Sequence, residues 1–288
     1  MHHLHNIRAQ SAPLLICLLI VGTLQASVGQ AELADPTKRA LYLSETLPNQ
    51  TLKERLQSCA LGDFYPTDFS IAHRGAPLGY PEHSREGYVT AAEQGAGVIE
   101  CDVTFTQDLA LVCRHSQCDL ATTTNILQTP LAAKCSKPFR PANGQQPASA
   151  TCCTTDISLA EFKTLCARPD QSNKRAKTVT QYLAPLHSPV ISEPLACGTL
   201  MTHAQSIELI DALGRKFTPE LKRPMVDMPF APGFTQAAYA DKLLAEYRAA
   251  GIDPSRVYPQ SFNPDDIWHW VKNHPDFADQ AIWLDARG

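Results

Sequence analysis

The chain has 288 residues, enough for one large domain or two small ones, and its 44% hydrophobic and 19% charged residues suit a globular protein with a real core. The formal net charge is −4 and no basic block stands out, which argues against nucleic acid as a partner, since backbone binding needs clustered Lys and Arg. A phosphate substrate is not excluded, because a bound metal can supply positive charge locally.

Residues 1–31 read as a signal peptide. Arg8 is their only charged side chain, and residues 12–24 form an apolar stretch of 13. That length suits a signal core and is short for a membrane span, which takes about 20 residues. Cleavage after Ala31 would leave a secreted or periplasmic protein with no stable membrane span, and nine of the ten cysteines. Cys101 alternates with Glu100 and Asp102 in a strand-like run and reads as a buried free thiol. The other eight, including Cys59 and Cys197, read as disulfide partners in an oxidising compartment.

The βα rhythm starts with a strand at 69–73, ended by Gly75. Ser84 caps a helix running to about Gln94. The next strand, VIECDVTFT, puts Val98, Glu100, Asp102 and Thr104 on one face, and Ile99, Cys101, Val103 and Phe105 on the other. One face is apolar and the other carries two carboxylates. Residues from about 109 to 210 break the rhythm and read as a cysteine-stapled insertion. Capping boxes at Ser158/Glu161 and Thr202/Gln205 open helices there and at its end. The rhythm resumes with a strand at 216–222, a helix capped by Thr235, a strand at 257–262, a helix started by Asn263 and Pro264, and a strand at 281–285. Such alternation predicts an α/β fold with a parallel sheet.

In this architecture chemistry gathers at the C-terminal ends of the strands. His73 and Arg74 end the first strand, and Glu100 and Asp102 face inward on the second with His115 just beyond it. Glu220 and Lys222 share a face of the third, and Gln260 lies on the fourth. Taken singly, each has a structural reading, such as a Glu220–Lys222 ion pair. Together, three carboxylates suit a hard cation, Ca²⁺ or Mg²⁺. Two histidines beside it suit acid/base work on a phosphate ester. The remaining histidines, including His187, His203, His269 and His274, read as loop or helix residues, and Trp268, Trp270 and Trp283 as packing.

The segments IAHRGAPLGYPEHS, VIECDVTFTQDLALVCRH, FTPELK and YPQSF resemble the motifs of the glycerophosphodiester phosphodiesterase family, over about residues 68–285. The resemblance implies a TIM-type (β/α)8 barrel. It implies Glu100, Asp102 and Glu220 as ligands of one divalent cation, Ca²⁺ or Mg²⁺, and His73 and His115 as the acid/base pair. It further implies Arg74 and Lys222 on phosphate, with Glu82 bracing the first loop and Gln260 in support. The implied reaction releases glycerol 3-phosphate and an alcohol from a small glycerophosphodiester, through attack by the neighbouring glycerol hydroxyl and opening of a cyclic phosphate by water. Alternatives are a phospholipase D-like lyase and a catalytically inactive binding protein. Two positions depart from the family pattern. His83 stands where the family has Asn and reads first as a harmless surface replacement, with a shift in the pocket's hydrogen bonding and an extra titrating group as the alternatives, and Ser116 stands where the family often has Asp after the histidine.

A closed barrel needs eight strands, and five are visible in residues 32–288. The reading is therefore a partial barrel that lacks its last three βα units, with two exposed parallel edges and a tendency to associate.

Overall fold

The computed structural model describes residues 43–59, 65–184 and 197–286. The signal-peptide reading of 1–31 and His187 fall outside them.

After a helix α1 (Gln50–Ser58), strand β1 (Thr67–Ala72) enters a turn that only glycine fits. Gly75 has φ +89°, and a Cβ there would meet Gly87 C at 3.2 Å. That close approach seats α2 (Arg85–Glu93), whose first turn is capped by Ser84 Oγ accepting from Gly87 N at 3.1 Å. The chain returns as β2 (Ala96–Phe105), parallel to β1, and every residue of β2 is buried. Gly97 is required where the two strands cross, since a Cβ would lie 2.0 Å from Thr67 O. β3 (Leu111–Cys113) folds back antiparallel on the end of β2.

The excursion that follows carries α3 (Leu120–Thr123), the hairpin of β4 (Lys137–Arg140) and β5 (Ser149–Thr151), and α4 (Leu159–Phe162). Next come β6 (Cys166–Ala167), α5 (Val179–Tyr182) and β7 (Gly198–Thr199), the two strands pairing with each other. It has its own core, in which Leu120, Ile126, Ile157, Phe162 and Tyr182 are fully buried or nearly so. Both capping boxes form, at Ser158/Glu161 and at Thr202/Gln205, the latter opening α6 (His203–Ala212).

Among the described residues, four disulfides join Cys101 to Cys113, Cys118 to Cys153, Cys135 to Cys152 and Cys166 to Cys197. Two expectations are corrected here. Cys101 is no free thiol: β3 folds back with Val103 opposite Cys113, which brings Cys113 against the apolar face of β2. Cys59, expected to pair, is free and exposed.

The βα rhythm then resumes with β8 (Lys216–Leu221), α7 (Gln236–Ala249), β9 (Gln260–Ser261), α8 (Pro264–Asn273) and β10 (Ile282–Trp283). Five strands form a parallel half-barrel in the order β1-β2-β8-β9-β10. The predicted two-faced pattern of β2 holds. Ile99, Cys101, Val103 and Phe105 join Tyr88, Tyr239, Leu243, Leu244 and Trp270 in one core between sheet and helices. Burying each large apolar side chain contributes roughly 1.5–3 kcal/mol. Trp270 packs as expected. Trp268 and Trp283 are exposed.

Candidate active site

The register of three strands builds the floor of the site. Asp102 on β2 is paired with Glu220 on β8, and Glu220 with Gln260 on β9. Glu100 lies two residues before Asp102, on the same face. One oxygen from each of Glu100, Asp102 and Glu220 lies within 4.8 Å of the others, and all three residues are buried. Both oxygens of Glu100 accept hydrogen bonds, Oε2 from Arg74 N at 2.9 Å and Oε1 from Gln260 Nε2 at 2.8 Å.

The charges on this floor do not balance. Lys222 Nζ lies 2.6 Å from Glu220 Oε1 and 3.8 Å from Asp102 Oδ1. The Arg74 guanidinium is engaged by Glu82 at 2.7 Å and reaches Asp102 only at 4.0 Å. Three carboxylates thus face one close lysine. Burial, followed by repulsion from Asp102, pushes the Glu100 carboxyl up to about 8. Asp102 and Glu220 are likewise raised, chiefly by burial. Asp102 Oδ1 is buried with no hydrogen-bond partner. An all-oxygen trio, short of positive charge and with an unpartnered oxygen, fits a hard divalent cation.

The two histidines flank this floor. His73 ends β1 with an exposed side chain, its Nε2 3.7 Å from Glu100 Oε2. His115 follows β3, and its Nε2 lies 2.7 Å from Arg74 Nη2. A guanidinium only donates, so His115 Nε2 holds its lone pair there. Burial, and then the Lys222 ammonium, lower the His115 pKa. Burial also lowers that of Arg74, but the bond to Glu82 and the surrounding carboxylates outweigh it and hold the guanidinium charged. Beyond the strand ends, a cleft of about 640 Å³ is lined by Glu220, Lys222, Arg223, Met228, Phe262 and Asn263. His115 and Met225 border a neighbouring one of about 680 Å³.

All the singled-out residues are therefore brought together: His73, Arg74, Glu82, Glu100, Asp102, His115, Glu220, Lys222 and Gln260. Two features of their setting escape the sequence. The first is the burial of His83, which overturns the surface reading and leaves the alternative, a changed hydrogen bonding of the pocket. His83 Nε2 lies 2.8 Å from Asp102 Oδ2 and its Nδ1 3.1 Å from Tyr88 Oη. Burial, and then the nearby Arg114 cation, push its pKa well down, so the ring is neutral. Arg74 and His83 both have left-handed backbones, φ 63° and 54°, and His83 N donates to Arg74 O at 3.1 Å. Such conformations cost on the order of 1–3 kcal/mol each and persist where surrounding contacts fix them.

The second is the pair Arg114 and Asp119. Arg114, fully buried, donates to Glu82 O at 3.2 Å and reaches Asp119 Oδ1 at 3.4 Å. Asp119 Oδ2 accepts from Ser116 N at 3.1 Å. A carboxylate thus does support the turn after His115, from three positions beyond Ser116. The available signal is an Arg directly after the apolar run Leu111–Cys113, with an Asp five residues on.

Comparisons with known proteins point to one family. The model of the "Glycerophosphoryl diester phosphodiesterase family" matches residues 73–278. An "Extracellular protein" of Arthroderma benhamiae is 45% identical over 121 residues, 41% of this chain and 49% of its own length. A "Probable glycerophosphodiester phosphodiesterase 1" of Mycobacterium tuberculosis is 47% identical over 49 residues, 17% of this chain and 18% of its own length. This chain thus spans about half of the first relative and less of the second. In fold it is similar to the crystal structure of a Silicibacter pomeroyi protein assigned as a glycerophosphoryl diester phosphodiesterase. The TM-score is 0.55 at 18% identity, covering 77% of this chain and 65% of that one. Among the described residues, no helix is long and apolar enough to cross a membrane.

Proposed function

This chain belongs to the glycerophosphoryl diester phosphodiesterase family, and from that premise we propose that it cleaves glycerophosphodiesters to glycerol 3-phosphate and an alcohol, with a divalent cation and a histidine pair. The observation that carries this reading is the buried trio Glu100, Asp102 and Glu220, with two histidines at its edge.

Glu100, Asp102 and Glu220 would hold the cation, Ca²⁺ or Mg²⁺ by the hardness of their oxygens. When bound, it would polarise the phosphoryl group and offset its charge. Arg74 and Lys222 meet the non-bridging oxygens at the rim. His115 serves as the base: its Nε2 lone pair, now capped by Arg74, is freed when phosphate draws the guanidinium away. It takes the proton of the glycerol hydroxyl that attacks phosphorus. His73, whose side chain is exposed, protonates the leaving alkoxide, and the roles reverse when water opens the cyclic phosphate. Glu82 and Gln260 position Arg74 and Glu100.

Secretion is part of the same proposal. Four disulfides suit an oxidising compartment, and the fungal relative is named as extracellular.

The test is release of glycerol 3-phosphate from glycerophosphocholine, with and without chelator. Activity lost with EDTA, restored by Ca²⁺ or Mg²⁺ and abolished by His73→Ala is the expected result. Activity indifferent to metal and to His73→Ala would overturn the mechanism. A cyclic phosphate that accumulates unopened would point to a lyase.

A further inference from the structure

A second constellation lies away from the strand ends, between α7 and α8. Asp241 is on α7 and His269 on α8, and His274 ends α8. Residues five apart on a continuous helix point about 140° from each other. Here the helix stops: His274 takes φ −131° and ψ 66° while its N–H still bonds Trp270 O at 2.8 Å. The break swings its ring back beside that of His269, with centroids 5.8 Å apart. Both rings then aim Nε2 at the same atom, Asp241 Oδ1, at 2.6 and 2.7 Å.

We propose that Asp241, His269 and His274 form a second metal site, for a divalent transition metal of the zinc class. Two imidazole nitrogens and one carboxylate suit that class, where the all-oxygen trio on the sheet suits Ca²⁺ or Mg²⁺. The three ligand atoms lie within 4.8 Å of one another. Tetrahedral zinc at about 2.0–2.1 Å needs them about 3.3 Å apart, a small opening, and leaves a fourth position to water. The side chains are 23% (His269), 13% (His274) and 48% (Asp241) exposed, so an ion can enter.

The outer nitrogens show how the site changes on loading. Asn273 Nδ2 lies 3.0 Å from His269 Nδ1, and Arg248 Nη2 lies 2.9 Å from His274 Nδ1. With these donors in place, each ring carries its proton on Nε2 and gives it to Asp241. An ion takes the Nε2 lone pairs, so each proton moves to Nδ1. Asn273 must then turn its amide oxygen to His269 Nδ1, and Arg248 must release His274 and rest on Asp276, which it already holds at 2.7 and 3.1 Å. Arg248 thus opposes metal both as a cation and as a competing donor.

Zinc binding to the full chain, followed by calorimetry and thermal shift, with the visible spectrum of bound Co²⁺, tests the site. Wild type is expected to bind one more equivalent than Asp241→Asn or His269→Gln/His274→Gln, with affinity in the isosteric Asp241→Asn at least about 100-fold weaker. Arg248→Met, which keeps the apolar stem, is expected to tighten binding about tenfold. Unchanged zinc stoichiometry in the cooperatively folded Asp241→Asn protein would overturn the proposal, and so would weaker binding in Arg248→Met.

Discussion

The half-barrel and the insertion solve the problem of order in different ways. In the half-barrel, register alone carries functional side chains to one place: Glu100, Asp102, Glu220 and Gln260 meet because β2, β8 and β9 pair as they do. The insertion has only short strands and helices, and its core is tied by covalent links. Its contribution to the site is one edge, the turn holding His115, Ser116 and Asp119. Repetitive pairing can hold like charges together against their repulsion. The loop-rich excursion relies instead on disulfides, which limit its unfolded freedom.

The sharpest test of this contrast is Asp102→Asn, which keeps shape and removes charge at the centre of the register. We expect about a thousandfold loss in kcat for glycerol 3-phosphate release or more, with the fold retained. A variant with near-normal activity would mean that the register positions no chemistry.

The next test uses pH. In metal-free protein the folded Glu100 carboxyl is raised to about 8 from an ordinary value of 4.5. The native state therefore binds more protons than the unfolded state between those values. Glu100's contribution to stability is fully present below about pH 4.5 and is lost as pH rises toward 8, by up to a few kcal/mol in all. Burial lowers His83 and His115, which act in the opposite sense over the same range, so the decline is read as a difference: in EDTA across pH 5–8 the melting temperature of wild type should fall relative to that of Glu100→Gln, and added Ca²⁺ or Mg²⁺ should remove the difference. A pH dependence identical in the two proteins would contradict the charge imbalance.

On the insertion side, Cys135→Ser/Cys152→Ser should lower stability by about 3 kcal/mol in denaturant melts, from loop entropy over a separation of 17 residues. It should leave kcat within about twofold, because the turn after His115 has its own support, Asp119 Oδ2 accepting from Ser116 N. A proportional loss of kcat would show that the insertion and the site are one cooperative unit.

The half-barrel was the more legible of the two regions. Alternation in VIECDVTFT separated the apolar face from the carboxylate face, and the caps at Ser84, Thr235 and Asn263 marked helix starts. Local spacing could do this because strands and helices have fixed periods. Pairings that cross the chain have none. Cys101 looked like a packed thiol because nothing local shows β3 folding back onto β2. His269 and His274 looked unrelated because five residues separate them and the helix end between them was not visible. His83 looked like surface because its left-handed backbone turns it inward, a conformation that histidine adopts rarely but more often than most residues.

His83 also gives the finest test. Its ring spans Asp102 and Tyr88, and the neutral imidazole can donate from only one nitrogen. Asp102 accepts only, so Nε2 carries the proton and Tyr88 Oη donates to Nδ1. This orientation braces Oδ2 of Asp102, while Oδ1 has no hydrogen-bond partner and would be available to the proposed cation. His83→Asn, the family's residue, can still donate to Asp102, but a shorter side chain cannot also reach Tyr88. It should cost about 1–2 kcal/mol in stability, leave kcat within a fewfold, and weaken cation affinity by no more than about tenfold. His83→Leu fills similar space without a donor and should weaken cation affinity further, by about 10–100-fold. The separation between these two variants is the decisive quantity. If both weaken the cation equally, His83 acts by filling volume, and the bond to Asp102 is incidental.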